Sequence, residues 1–269
     1  MKRARAFAKI NLALVVGPLR DDGKHEVVTV LQALDLADEI ELEPADVLTI
    51  EGFRDDTLVR RALVALAGAA GVPPRWRVRI EKRIPVASGL GGGSSDAASA
   101  LLLANSDLAE PLSPEALHAI AAGLGADVPF FLREGPQLGT GDGATLEPLT
   151  LPRDYVAVLV LSEVQSKEST AAVYRGFDER GGAGGFDERR AGLLGALDVL
   201  AHPRDLARLP RNDLVSSSLA GQLEELGAFR ADVSGAGPTV YGLFEHAHDA
   251  ERAAANVRRA ERTWLARPV

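Results

Sequence analysis

The run Pro85-Val86-Ala87-Ser88-Gly89-Leu90-Gly91-Gly92-Gly93-Ser94-Ser95 lies between two segments of opposite periodicity. Before it, Trp76, Val78 and Ile80 alternate with Arg77, Arg79 and Glu81; after it come Ala97, Ala98, Leu101 and Leu102 at helical spacing. The chain is therefore constrained to strand, glycine loop and helix in succession. Gly89 and Gly91 to Gly93 put four glycines into five residues, an entropic cost that a plain connection seldom requires. Glycine lets backbone N–H groups close on an anion, and the following helix adds the positive end of its dipole. The loop is a candidate phosphate cradle, with a tight structural connection as the plain alternative. It is not a Walker loop, because no lysine follows its glycines. Ser94 or Ser95 can cap the helix. Their hydroxyls can also reach a phosphate or a magnesium ion bridging phosphates, since that ion takes oxygen ligands. Asp96 reads as a first-turn helix residue rather than a metal ligand.

Elsewhere the periodicity is mixed. Ile10, Leu12, Leu14 and Val16 predict a half-buried strand with Lys9 and Asn11 on its other face. A turn at Asp21-Asp22-Gly23 leads to strands over Val27 to Leu36 and Glu39 to Ile50, then a helix over Thr57 to Ala70 ended by Gly71 and Pro73-Pro74. A helix over Pro114 to Ala122, closed by Gly123 and Gly125, delivers the turn Gly125-Ala126-Asp127-Val128-Pro129. A domain boundary near Pro152 divides the chain into 1–151 and 152–269. The second part opens with a buried strand, Tyr155 to Leu161, and a helix around Thr170 to Tyr174. Gly-Phe-Asp-Glu-Arg then occurs twice, at Gly176 to Arg180 and Gly185 to Arg189, around Gly181-Gly182-Ala183-Gly184; this reads as a mobile excursion. Helices over Arg190 to Leu200 and Asp213 to Leu226, a strand-turn-strand over Ala231 to Phe244 and a last helix from Ala247 to about Leu265 complete the pattern. Strands and helices mix without regular βαβ alternation, so the class is α+β.

A net charge of -8 argues against non-specific nucleic-acid binding, so any anionic ligand must be held by a few local cations. The chain has five lysines, Lys2, Lys9, Lys24, Lys82 and Lys167, among 30 basic residues, which hints at specific work for some of them. Without cysteine there is no thiolate nucleophile or zinc-thiolate site. The longest apolar runs, such as Val156 to Leu161, are too short to span a bilayer, and the first residues lead into a strand pattern rather than a signal segment. A cytoplasmic protein with no nucleic-acid or membrane partner is expected.

By default Lys9 is a solvated lysine and Asp127 a turn carboxylate. Phosphoryl transfer to a hydroxyl, however, calls for charge neutralisation and a carboxylate that takes the hydroxyl proton. Ser234-Gly235-Ala236-Gly237-Pro238 is equally compatible with a structural turn and a ligand-facing loop.

Ala8-Lys9-Ile10-Asn11-Leu12, the Gly-Leu-Gly-Gly-Gly-Ser-Ser loop with Asp96-Ala97-Ala98, Leu124-Gly125-Ala126-Asp127-Val128-Pro129 and the late Ser-Gly-Ala-Gly loop together resemble the ordered motifs of the GHMP kinases. The resemblance runs from about Ala6 to Phe244, and the first and third motifs resemble the branch acting on a cytidine diphosphate sugar-alcohol. It implies an N-terminal lobe like domain 2 of ribosomal protein S5, a ferredoxin-like C-terminal lobe, and ATP with Mg2+ as cofactors. Lys9 and Asp127 match the catalytic pair, Asp127 as base and Lys9 stabilising its charge and the developing alkoxide. Residues Pro85 to Ser95 would wrap the ATP phosphates, with Ser95 toward the metal and Leu58 and Lys82 near the adenine. Asn11, Lys24, His25, Asp127 and Thr170 match acceptor-binding positions, His25 contacting the cytosine edge, and Tyr174 matches an aromatic stacking on the cytosine, though its spacing also suits a packed helix residue. The implied assembly is a monomer or weak homodimer. A GHMP kinase with another acceptor, and a nucleotide-binding module without catalysis, are the alternatives. Departures are Lys24 for a usual tyrosine, Thr57 for a frequent asparagine, Phe7 for a proline, and the run Ser162 to Lys167.

Overall fold

Two long strands organise the chain: β1 (Lys2–Leu19) and β2 (His25–Pro44), which pair with each other across the turn containing Gly23. The computed structural model describes residues 1–53, 57–162 and 169–269, with the Thr57 side chain outside the description. Residues 8–17 are buried without interruption, so β1 is covered on both faces rather than half-buried. The two strands expected over 27–36 and 39–50 are instead one continuous β2 and a separate short β3 (Thr49–Glu51). The weak strand formers Ala37 and Asp38 look like a break. Asp38 nonetheless stays in the strand, because its buried carboxylate is fully engaged by residues 82 to 84.

Helix α1 (Thr57–Ala70) and strand β4 (Trp76–Glu81) stand where the periodicity puts them. The order continues with α2 (Gly92–Asn105), α3 (Pro114–Leu124), the hairpin strands β5 (Gln137–Thr140) and β6 (Thr145–Pro148), β7 (Val156–Ser162), α4 (Thr170–Glu179) and α5 (Phe186–Leu197). It closes with α6 (Ser218–Glu225), β8 (Arg230–Val233), β9 (Thr239–Phe244), α7 (Ala247–Asn256) and β10 (Ala260–Ala266). The class is α+β. Among the described residues no helix is long and apolar enough to cross a membrane.

The chain forms two compact units that interleave: 1–8, 36–86 and 91–134 make one, and 9–35, 87–90 and 135–269 the other. β1 and β2 each contribute to both. In the first unit β4 pairs with Glu39 to Pro44 of β2 and with β3. One face of this sheet buries Ile40, Leu42, Trp76, Val78 and Ile80 against α1, α2 and α3; the other carries the exposed Arg77, Arg79 and Glu39 and the half-buried Glu43.

In the second unit the sheet order is β10-β7-β9-β8, antiparallel throughout, with α6 and α7 over its apolar face. From β7 onward, α6, β8, β9, α7 and β10 give the ferredoxin-like β-α-β-β-α-β arrangement, with α4 and α5 inserted after its first strand. The helix expected to reach Leu265 therefore ends at Asn256. Residues 260–266 are taken as a strand by the free edge of β7, and Arg259, at φ 62°, makes the break.

The duplicated Gly-Phe-Asp-Glu-Arg segment is an ordered helical hairpin, not a mobile excursion. Its first copy ends α4 and its second starts α5. Phe177 is buried at 1%, and the guanidinium of Arg189 donates to the carbonyls of Val16, Gly182 and Gly184 and to the Asp213 carboxylate. One arginine thereby satisfies the turn that its glycines leave open.

Candidate active site

Alternation along β1 sends Lys9 and Asn11 to the same side, and there they meet. Lys9 is 3% exposed and donates from Nζ to Asn11 Oδ1 at 2.7 Å. Asn11 Nδ2 donates to Thr29 Oγ1 at 2.8 Å, and Thr29 in turn to the Ala13 carbonyl at 2.8 Å. This relay fixes which way the Asn11 amide faces and so fixes the ammonium. Lys9 is thus buried and positioned, contrary to the solvated default, its ammonium hydrogen-bonded to an amide oxygen in place of water.

The middle of the glycine run is held beside it. Three successive carbonyls are taken by the protein: Ser88 accepts from Thr239 N at 3.1 Å, Gly89 from Ser234 Oγ at 2.9 Å, and Leu90 from Lys9 N at 2.9 Å. Gly89 has φ 81°, and a Cβ there would lie 2.4 Å from the Ser234 carbonyl oxygen. A Cβ on Gly235 would lie 3.6 Å from Lys9 Nζ and 3.4 Å from Asn11 Oδ1. The late loop therefore borders Lys9 and the glycine run, an adjacency its sequence left open. Asn212 Nδ2 holds that loop through the carbonyls of Val233 and Gly235, at 3.0 and 2.6 Å. Buried Arg230 ties the same region to the Leu12 carbonyl at 2.6 Å. Neither residue stands out in the sequence.

Ala87, in the second unit, is exposed at φ 52°, a conformation that costs about 1–2 kcal/mol outside glycine. The two ends of the run, 85–86 and 91–95, belong to the first unit, where Pro85 is half-buried and Val86 exposed. Helix α2 begins at Gly92 after Gly91 at φ 70°, with no side-chain cap. Ser94 and Ser95 are therefore helical residues rather than caps, because the left-handed glycine starts the helix two residues earlier. The N–H groups of Gly92, Gly93 and Ser94 stand at the uncapped helix start, where an anion is favoured. Ser95 Oγ makes no hydrogen bond among the described residues.

Asp96 lies beyond the first turn, fully buried, and accepts from Lys82 Nζ at 2.7 Å. Lys82 also reaches Asp38 at 2.5 Å, and Asp38 caps the N–H groups of Arg83 and Ile84. Burial pushes the Asp96 carboxyl up to about 8 against the pull of the Lys82 ammonium, since two carboxylates crowd one lysine. Burial works against the Lys82 ammonium too, but the two carboxylates outweigh it and raise its pKa. Leu58 packs at the edge of the same unit's core, and Asp127 is half-buried in the turn between α3 and the short helix Pro129–Leu132.

In the second unit His25 and Tyr174 come together, with ring centroids 4.9 Å apart and a 32° tilt, and Phe177 stands edge-on to His25 at 5.8 Å. Thr170 is exposed in the first turn of α4, whose cap is Ser169. Lys24 is engaged with Asp142 at 2.5 Å, a hydrogen bond that raises the lysine's pKa. Residues 163–168, which take in all of the departing run Ser162 to Lys167 except Ser162, lie outside the described residues, as does the Thr57 side chain.

The GHMP kinases N terminal domain matches residues 57–135, and the GHMP kinases C terminal domain matches residues 185–262. A Salinispora tropica protein named 4-diphosphocytidyl-2-C-methyl-D-erythritol kinase is 41% identical over 279 residues, covering 95% of this chain and 87% of its own. The chain belongs to the 4-diphosphocytidyl-2-C-methyl-D-erythritol kinase family of GHMP kinases. The crystal structure of a 4-(cytidine 5'-diphospho)-2C-methyl-D-erythritol kinase, 33% identical, superposes with a TM-score of 0.80 over 99% of both chains. That of a mevalonate kinase superposes with a TM-score of 0.77 over 100% of this chain and 99% of its own; at 13% identity it shares the fold alone. As a GHMP kinase the chain is an ATP-dependent small-molecule kinase, and its two-lobed fold is the one its motifs imply.

Proposed function

We propose that this chain phosphorylates the 2-hydroxyl of 4-diphosphocytidyl-2-C-methyl-D-erythritol with ATP, in the non-mevalonate route to isoprenoid precursors. The observation that carries the reading is the buried Lys9, held by the Asn11–Thr29 relay beside both glycine loops. In this reading Asp127 takes the proton of the acceptor hydroxyl as its oxygen bonds to the γ-phosphorus. The bond from that phosphorus to the β–γ bridging oxygen breaks, and ADP leaves. Lys9 stabilises the developing alkoxide, a contribution that counts because the cation is already oriented. The run 85–95 holds the ATP phosphates, with Leu58 and Lys82 toward the adenine. Asn11, Lys24, His25, Thr170 and Tyr174 receive the acceptor, Lys24 with its ammonium already engaged by Asp142.

The uncommitted hydroxyl of Ser95 suits Mg2+, which needs few protein oxygens when phosphates supply the rest. When bound, Mg2+ neutralises charge on the transferring phosphates. Residues 1–151 and 152–269 serve as the family's N- and C-terminal domains, and the enzyme works in the cytoplasm as a monomer or weak homodimer.

The test is coupled ADP release from purified protein with ATP, magnesium and the cytidine compound, beside mevalonate, phosphomevalonate, homoserine and galactose. Turnover of the cytidine compound is expected. Turnover of a panel compound in its place overturns the reading.

A further inference from the structure

The third residue of the first Gly-Phe-Asp-Glu-Arg copy has a partner far away in the chain. Asp178 Oδ1 lies 2.8 Å from His25 Nε2. A carboxylate can only accept, so Nε2 carries the hydrogen, and in the neutral imidazole Nδ1 is left with a lone pair. Nδ1 makes no hydrogen bond among the described residues, nor is it among the fully buried polar atoms lacking a partner. It is an acceptor open to a ligand. The Tyr174 ring lies against the same imidazole, and Phe177, 1% exposed, holds its edge. The histidine is pinned on one side by a carboxylate and on others by rings. Half of the Asp178 side chain is exposed, so the carboxylate is not needed to fill the core.

We propose that Asp178 is a specificity-determining positioning residue: by holding His25 as the Nε2–H tautomer it presents a hydrogen-bond acceptor at Nδ1, selecting an amino-bearing pyrimidine over one with a carbonyl at that position. The inference rests on the proposed reading, implied by the family resemblance, that His25 contacts the cytosine edge and Tyr174 stacks on the ring; what it adds is the part played by Asp178. Cytosine offers an N–H donor there and uracil a second acceptor. A site built to receive a hydrogen bond rejects the analogue that cannot make it, because both facing lone pairs lose water without gaining a partner. Asp178 acts through His25 and need not touch the base.

The experiment compares kcat/KM for the cytidine substrate and its uridine counterpart in the full chain and in Asp178→Asn, Asp178→Glu, His25→Ala and Tyr174→Ala variants. Nitrogen-15 NMR of the His25 ring is recorded for the wild type and the two Asp178 variants. An asparagine can accept through Oδ1 or turn its amide and donate to Nε2, so it no longer holds the ring hydrogen at Nε2 alone. Asp178→Asn is expected to cut the cytidine preference by about tenfold or more, through KM for the acceptor, with KM for ATP and Tm unchanged. Asp178→Glu is expected to keep much of the preference and the Nε2–H ring. An unchanged preference and unchanged tautomer in Asp178→Asn overturns the proposal by itself, provided His25→Ala or Tyr174→Ala raises the acceptor KM. If neither does, the acceptor-site reading fails and the proposal falls with it.

Discussion

Gly89→Ala tests whether the phosphate loop works because its backbone is clamped to the late glycine loop. The new Cβ would lie 2.4 Å from the Ser234 carbonyl oxygen and 2.9 Å from that of Gly237, where ordinary contact begins near 3.4 Å. The two loops must part by about 1 Å, and both obstacles are backbone rather than swinging side-chain ends. The φ of 81° costs alanine about 1–2 kcal/mol by itself. Parting the loops also strains the Ser234 Oγ bond to Gly89 and the Thr239 N bond to Ser88, each contributing about 1 kcal/mol. The total is about 3 kcal/mol, or roughly a hundredfold in affinity. Gly93→Ala is the control, since its Cβ meets nothing within 4 Å and its φ is ordinary for a helix. Coupled ADP release under ATP titration should show KM for ATP raised about a hundredfold in Gly89→Ala and less than about threefold in Gly93→Ala. Equal effects from the two would refute the clamp.

Thr29→Val removes the acceptor of the Asn11 amide while keeping shape. The orphaned buried N–H costs about 1–3 kcal/mol, so Tm should fall, and kcat should fall with it because Lys9 loses its reference point. If kcat holds, the relay does not position the lysine. Asp127→Asn should lower kcat by about two orders of magnitude or more with the fold intact, as expected for a proton acceptor; near-normal kcat would remove it from that role. For Asp96 the folded chain holds the proton up to about pH 8, whereas the unfolded chain releases it near 3.8. The folded state therefore binds more protons between those values, and wild-type stability should decline as pH rises through that window. Asp96→Asn should flatten this decline in Tm measured from pH 5 to 9, and an identical slope in both proteins would contradict the shared-lysine arrangement.

Signals confined to neighbouring residues were legible without coordinates. Helix α1 and strand β4 follow from their apolar spacing, and the pairing of Lys9 with Asn11 follows from strand alternation. The strand–loop–helix around the glycines follows from what only glycine can adopt. The same is true of the GHMP motifs, because their chemistry requires residue types in a set order. What the tertiary structure added depends on partners distant in the chain. Lys82 finds Asp38, 44 residues before it, so an apparent strand break becomes one strand. Arg189 finds the Val16 carbonyl 173 residues away, so a glycine-rich repeat becomes an ordered hairpin. Residues 260–266 find the edge of β7, so a helical composition becomes a strand. Lys9 is a catalytic candidate in sequence, but its burial is a tertiary fact, since only the folded chain brings a second glycine loop beside it. Local rules choose conformations whose cost is local; desolvating a charge is worthwhile only where the fold supplies its partner.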